Sequence, residues 1–127
     1  MKFDWKEYLA LADQLMQERK DIASEEACLR SAISRAYYAA IISSRNFAIT
    51  KDKFFARRGS SIHRQIADHF KLKNDIKQVA VGIRLSKLAN KRNLADYEDE
   101  MPDLLQEAEK SVRLAKDILT LLDSFSE

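Results

Sequence analysis

Apolar positions recur every three or four residues through most of this chain, the period of one face of an α-helix. Trp5, Tyr8, Leu9, Ala12, Leu15 and Met16 form the first stripe, and Asp4 with Glu7 makes an Asp-x-x-Glu box suited to its start. The pattern predicts a helix from about Trp5 to Glu18. A second is predicted after Ser24, a good cap followed by Glu25 and Glu26 at the positive end of the helix dipole. Its main stripe is Leu29, Ile33, Ala36, Tyr37, Ala40, Ile41 and Phe47. Cys28, Ala32, Tyr38, Ala39 and Ile42 widen that stripe until the helix is apolar nearly all round. Such a helix is central to a fold, or lies across a subunit interface.

Residues 50–60 read as a basic connector, with Phe54 and Phe55 tucking part of it down and Gly59 punctuating it. Ser60 or Ser61 can cap a short third helix with Ile62, Ile66 and Phe70 inward. Asn74 and Asp75 start a fourth, running through Val79, Ile83 and Leu88 to about Tyr97. Pro102 suits the first turn of a fifth, whose stripe is Leu105, Ala108, Val112, Ala115, Leu119 and Leu122. Two glycines and one proline in 127 residues are too few for a many-stranded fold with tight turns. The expectation is an all-α, up-and-down bundle of about five helices, one domain over residues 1–127.

Charge is balanced overall, 22 basic against 20 acidic residues, but unevenly placed. Lys51, Lys53, Arg57, Arg58, Arg64, Lys71 and Lys73 crowd residues 51–73, whereas Glu98, Asp99, Glu100, Asp103, Glu107 and Glu109 make residues 98–109 acidic. One end could hold a phosphate backbone; the alternative is two solvated faces of opposite sign. A single cysteine, Cys28, excludes an internal disulfide and a cysteine-based zinc cluster, and it suits a small buried hydrophobe. No Gly-rich phosphate loop, metal-ligand cluster or nucleophile elbow occurs, so no metal site or cofactor is expected. The N-terminal stretch has no apolar signal region, and no apolar run reaches membrane-spanning length; the expectation is a soluble cytoplasmic protein.

Two polar constellations interrupt the apolar pattern. Counting back from Arg92 in steps of three and four reaches Leu88, Leu85 and Val81, which puts this arginine on an inward stripe, where a charge needs a partner. Asp96, four residues on, shares its face. The exposed form of such a pair is worth only roughly 0.3–0.5 kcal/mol, too little to explain an inward arginine, whereas a charged pair aimed into a cleft accounts for the position. The second constellation, Arg30 through Ala39, places two arginines, two serines and two tyrosines on the central helix, where buried polar groups require partners. Tyr37 and Tyr38 suit amphipathic core positions with satisfied hydroxyls, and Arg35 could pair with an acidic residue such as Asp96.

Ser34-Arg35-Ala36-Tyr37-Tyr38-Ala39, followed by Arg92-Asn93-Leu94-Ala95-Asp96-Tyr97 ending the fourth helix, resembles the HEPN (higher eukaryotes and prokaryotes nucleotide-binding) domain. The likeness is closest to its small single-domain prokaryotic branch, with Ser-Arg-x-Tyr-Tyr-Ala and Arg-x-x-Ala-Asp-Tyr motifs, and covers nearly the whole chain. The resemblance implies a helical bundle that dimerises with the two fourth-helix arginines facing across a cleft. It also implies action on RNA or a nucleotide, in many members as a metal-independent endoribonuclease. Such members are often the toxin of a toxin–antitoxin pair, beside a minimal nucleotidyltransferase antitoxin. The family's active motif is an arginine, four to six residues, then a histidine, with a polar residue often after the arginine. Arg92 and Asn93 match its first two positions; the histidine has no match, since no histidine follows His69.

Metal-free cleavage of RNA needs a group that exchanges protons near neutrality, which a carboxylate such as Asp96 does poorly. His63, from the third helix, could supply an imidazole; the alternative is a local hydrogen bond near a helix start. Arg92 can grip a phosphate, and Tyr97 can donate a hydrogen bond or stack on a base. The expected catalytic set is therefore Arg92, Asn93, Asp96, Tyr97 and His63, with Arg35, Tyr38, Arg57, Arg58 and Arg64 contacting nucleotide or RNA. Without the family histidine, a non-catalytic binding module or a dimeric scaffold are the alternatives.

Overall fold

A computed structural model describes residues 2–21 and 24–125. Five α-helices form among them: α1 (Glu7–Gln17), α2 (Glu25–Asp52), α3 (Ile62–Lys71), α4 (Ile76–Tyr97) and α5 (Leu104–Phe125). No strand occurs among the described residues, and none of these helices is long and apolar enough to cross a membrane.

Local sequence sets most helix starts. Ser24 Oγ accepts the Ala27 amide at 3.1 Å, Ser61 Oγ the Arg64 amide at 3.4 Å, and Asp75 Oδ1 the Lys77 amide at 3.1 Å. The predicted Asp4–Glu7 capping box does not form. Asp4 instead closes a turn, its carboxylate accepting the Lys6 amide and its carbonyl the Glu7 amide, each at 3.0 Å, so α1 begins two residues later than the pattern suggested. Pro102 likewise sits in a turn ahead of α5 rather than within its first turn. Asp103 separates them at φ 55°, a left-handed conformation that aspartate tolerates better than most residues.

α2 is the axis of the fold, packing on α1, α4 and α5 and touching α3. Ala32, Ile33, Ala36, Ala39 and Ala40 are fully buried, and small side chains let neighbours close in from several sides. Cys28 is buried, as expected. α2 ends where Lys53 turns left-handed (φ 55°) and the Phe54 amide reaches back to the Ala48 carbonyl at 3.1 Å, a Schellman-type closure. The closure parts the two connector phenylalanines: Phe54 packs against the core, while Phe55 is 77% exposed.

One further expectation is corrected: Ile62 faces outward, because the inward row of α3 is Ile66–Phe70. On α4 the expected row Val81–Leu85–Leu88 is buried, and Ile83 faces outward. Gly82 is buried where α3 crosses α4; a Cβ there would lie 2.6 Å from the Ala67 carbonyl oxygen and 2.8 Å from the Lys71 amide nitrogen. A glycine in mid-helix costs about 1 kcal/mol against alanine, and here it allows two backbones to meet.

Candidate functional site

Arg92 continues the buried row Val81–Leu85–Leu88, and its side chain remains only 19% exposed. Its guanidinium is enclosed by aromatic rings and one carboxylate. Nη2 donates to Tyr38 Oη at 2.8 Å, and Nη1 to Asn93 Oδ1 at 3.3 Å. Nε stands 2.8 Å from Asp96 Oδ2 in an ion pair, without the alignment of a hydrogen bond. The guanidinium carbon lies 5.3, 5.5 and 5.7 Å from the ring centres of Tyr38, Tyr97 and Tyr37. Burial opposes the charge, yet Tyr38, Asp96, Tyr97 and Tyr37 together hold the Arg92 pKa above its ordinary value. This arginine keeps its charge at every relevant pH.

The second helix supplies the support. Ser34 Oγ donates to Asp96 Oδ2 at 3.3 Å, so Asp96 is held by Arg92 on one side and Ser34 on the other. Tyr37, almost fully buried, bonds through its hydroxyl to His63 Nδ1 at 2.8 Å. Burial, opposed by nearby Arg92, pushes the Tyr37 phenol up to about 12, so it stays protonated. Burial first, then Arg92 and Arg45, lowers the His63 pKa, which makes its imidazole neutral at pH 7. If Nδ1–H donates to the Tyr37 oxygen, Nε2 keeps a free lone pair.

His63 and Arg92 thereby line one cleft of about 410 Å³ between α3 and α4, with Asn93, Asn90, Ser86 and Arg64 on its polar wall and Ile41 and Leu85 on its apolar wall. Four expected site residues meet at this cleft: Arg92, Asn93, His63 and Arg64. Asp96 and Tyr38 brace Arg92, and Tyr97, 71% exposed, lies beside it. Arg35 is not part of the cleft and does not pair with Asp96. Its guanidinium stacks 4.8 Å from the ring centre of Tyr8 and 5.3 Å from that of Tyr38, tying α1 to the back of the site. Arg57 and Arg58 line a different and larger cleft, of about 720 Å³, beside the α2–α3 connector.

Arg30 belongs to the second constellation but was not among the expected site residues, and it matters here. It donates to the carbonyls of Ala95 at 2.9 Å, Glu98 at 2.6 Å and Asp99 at 3.1 Å, and it pairs with Glu26 at 3.0 Å. A cation on the free carbonyls of a helix C-terminus is favourable, and this one fixes the end of α4 that carries Asp96 and Tyr97. Its signal in the sequence was its place one helical turn before Ser34 on the central helix. His69 belongs elsewhere: its Nε2 bonds Asp52 Oδ2 at 2.8 Å. No cluster of potential metal ligands occurs among the described residues.

No protein-family model, curated protein or solved structure matches the chain.

Proposed function

We propose that the cleft between α3 and α4 binds the phosphate of an RNA strand or nucleotide on Arg92, in the manner of the HEPN-like proteins whose motifs the chain resembles. The observation that carries this reading is the convergence of Arg92 and Asn93 from α4 with His63 from α3 in one cleft, around the shared Tyr37. Neither the Arg92 motif nor the tyrosine motif alone would require the histidine to be there. A guanidinium braced by Tyr38 and Asp96 is oriented before ligand arrives, which reduces the ordering cost of binding. Its Nη donors then suit a phosphate oxygen pair.

Cleavage is the second part of the proposal. In the tautomer whose Nδ1–H donates to Tyr37, neutral His63 can take the proton of a ribose 2′-hydroxyl on Nε2. The 2′ oxygen then bonds to phosphorus, the bond to the 5′ oxygen breaks, and that oxygen takes a proton from water. Arg92 neutralises the added charge on phosphorus. The products would be a 2′,3′-cyclic phosphate and a 5′-hydroxyl. The alternative is a binding module without turnover, which the cleft serves equally through Arg92 and Arg64.

The test is RNA binding and RNA integrity with the wild type, Arg92→Ala and His63→Ala. Arg92→Ala is expected to weaken binding by at least tenfold, the loss of one charged phosphate contact. His63→Ala is expected to spare binding and abolish cyclic-phosphate ends. Wild-type binding with intact RNA would leave the binding module and sink the nuclease. RNA binding indifferent to Arg92→Ala would sink the reading altogether.

Pairing of two copies also belongs to the proposal. Ile76 and Tyr97, 83% and 71% exposed, with Ile83 and Asn90 between them at seven-residue spacing, mark an outward stripe of α4, and exposed Leu94 lies beside it. This outward stripe lies opposite the inward Arg92 but includes Asn90 and borders Asn93 of the cleft wall, which supports a dimer in which the two clefts are neighbours.

A further inference from the structure

The larger cleft is built on a connector that is held, not loose. Gln65 Oε1 accepts the Arg57 amide at 2.8 Å, and its Nε2 donates to the Arg57 carbonyl at 2.7 Å and the Ser60 carbonyl at 3.0 Å. Phe54 packs edge-on against His69, ring centres 5.3 Å apart, and anchors the other end. Between these anchors Phe55 stands 77% exposed beside Lys53, Arg57 and Arg58. The side chains of these three cations make no ion pair or hydrogen bond among the described residues. Two carboxylates share this lining, Asp52 and Asp68; Asp68 can balance one of the three cations, and Asp52 does not offset the others. Burial opposes its ionisation, but hydrogen bonds from His69 at 2.8 Å and Lys73 at 3.1 Å outweigh that, hold its pKa below the usual value and occupy its charge.

An exposed aromatic ring fixed among unpaired cations is the arrangement that binds single-stranded nucleic acid: bases stack on the ring and phosphates lie on the cations. A carboxylate-rich peptide would use the cations and leave the ring idle. The two clefts also meet. Ser60 and Gln65 line this one, while Ser61 and Arg64 line the Arg92 cleft, so the first turn of α3 is their common wall.

We propose that the connector cleft is a second subsite for single-stranded RNA, in which Phe55 stacks a base while Lys53, Arg57 and Arg58 hold backbone phosphates of a strand that also reaches Arg92. The proposal rests on the RNA reading of the Arg92 cleft. Ligand length separates the two sites, since a dinucleotide can fill only one and a strand of about 10 nucleotides can cross both.

Fluorescence anisotropy with labelled RNA of both lengths tests it, using the wild type, Arg92→Ala, Phe55→Ala and the double variant Arg57→Ala/Arg58→Ala. All three connector positions are exposed, and thermal melts verify that each variant folds. The wild type is expected to bind the longer strand at least tenfold more tightly than the dinucleotide. Phe55→Ala should remove about tenfold of that gain. The double variant should flatten the dependence of log affinity on log salt by about 1.4. Neither change should alter dinucleotide binding. Longer-strand binding that ignores both connector variants would overturn the subsite, as would an acidic peptide that displaces the strand and binds Phe55→Ala as well as wild type. If the longer strand depends on Phe55 but not on Arg92, the subsite stands and the Arg92 reading falls. If dinucleotide binding needs Arg92 and length adds nothing, the reverse holds. Failure of both RNAs to bind overturns both.

Discussion

Arg92 and His63 show how far a single residue's chemistry depends on what encloses it. The inward position of Arg92 was legible from its row with Leu88, Leu85 and Val81, and Asp96 was its evident partner. The tyrosine enclosure was not legible, since Tyr38 and Tyr97 come from different helices. His63 gains its interest from Tyr37, which takes its Nδ1, and from burial and then Arg92 and Arg45, which oppose its protonation. That opposition gives a pH prediction. Below the ordinary histidine value of 6.5 the unfolded chain binds a proton that folded His63 refuses, so stability falls as pH drops from 6.5 through the lowered folded value. His63→Gln should flatten this dependence. Urea midpoints at about pH 7.5 and about pH 5.5 measure it, and an equal acid loss in both proteins would show that His63 is not the group responsible.

At the scale of elements, the site depends on how closely α3 lies on α4. Gly82 is the contact that permits it, with a backbone carbonyl and a backbone amide where a Cβ would be. Gly82→Ala gains about 1 kcal/mol of helix propensity, but backbone atoms cannot swing aside, and overpacking costs about 1–3 kcal/mol. The expected net is a loss of up to about 2 kcal/mol in chemical denaturation, with weaker RNA binding because His63 moves away from Arg92. A more stable Gly82→Ala protein with unchanged binding would mean that α3 has room to shift. The same interface explains why the starts of α2, α3 and α4 were legible while the facing of Ile62 was not. Caps at Ser24, Ser61 and Asp75 are local, whereas the outward turn of Ile62 and Ile83 is decided by which row of each helix meets the other.

At the scale of the molecule, an all-α bundle around α2 carries two clefts that share one helix turn, and α4 presents an apolar stripe to solvent. If that stripe seats a second copy, Ile83→Glu should weaken the dimer at least tenfold, because burying an unpaired carboxylate is costly. Light scattering across a dilution series reads this directly. A wild type that stays monomeric, or a variant that dimerises equally well, would remove the stripe from the account. The charge map belongs to this scale too. Of the basic residues of the 51–73 segment, Arg64 lines one cleft and Lys53, Arg57, Arg58 and Lys73 line the other, while Lys51 and Lys71 line neither.

The sequence by itself determined the helical class, the order of the helices and the centrality of α2, because helix periodicity and capping act over a few residues and need no distant partner. It also marked Arg92 as a charge requiring company. Only the tertiary structure decided that His63 joins Arg92, that Arg35 turns away to Tyr8, that Arg30 caps α4, and that Phe54 and Phe55 part company. Each of those outcomes rests on contacts between residues far apart in the chain, and spacing along one helix carries no information about which face of another will meet it.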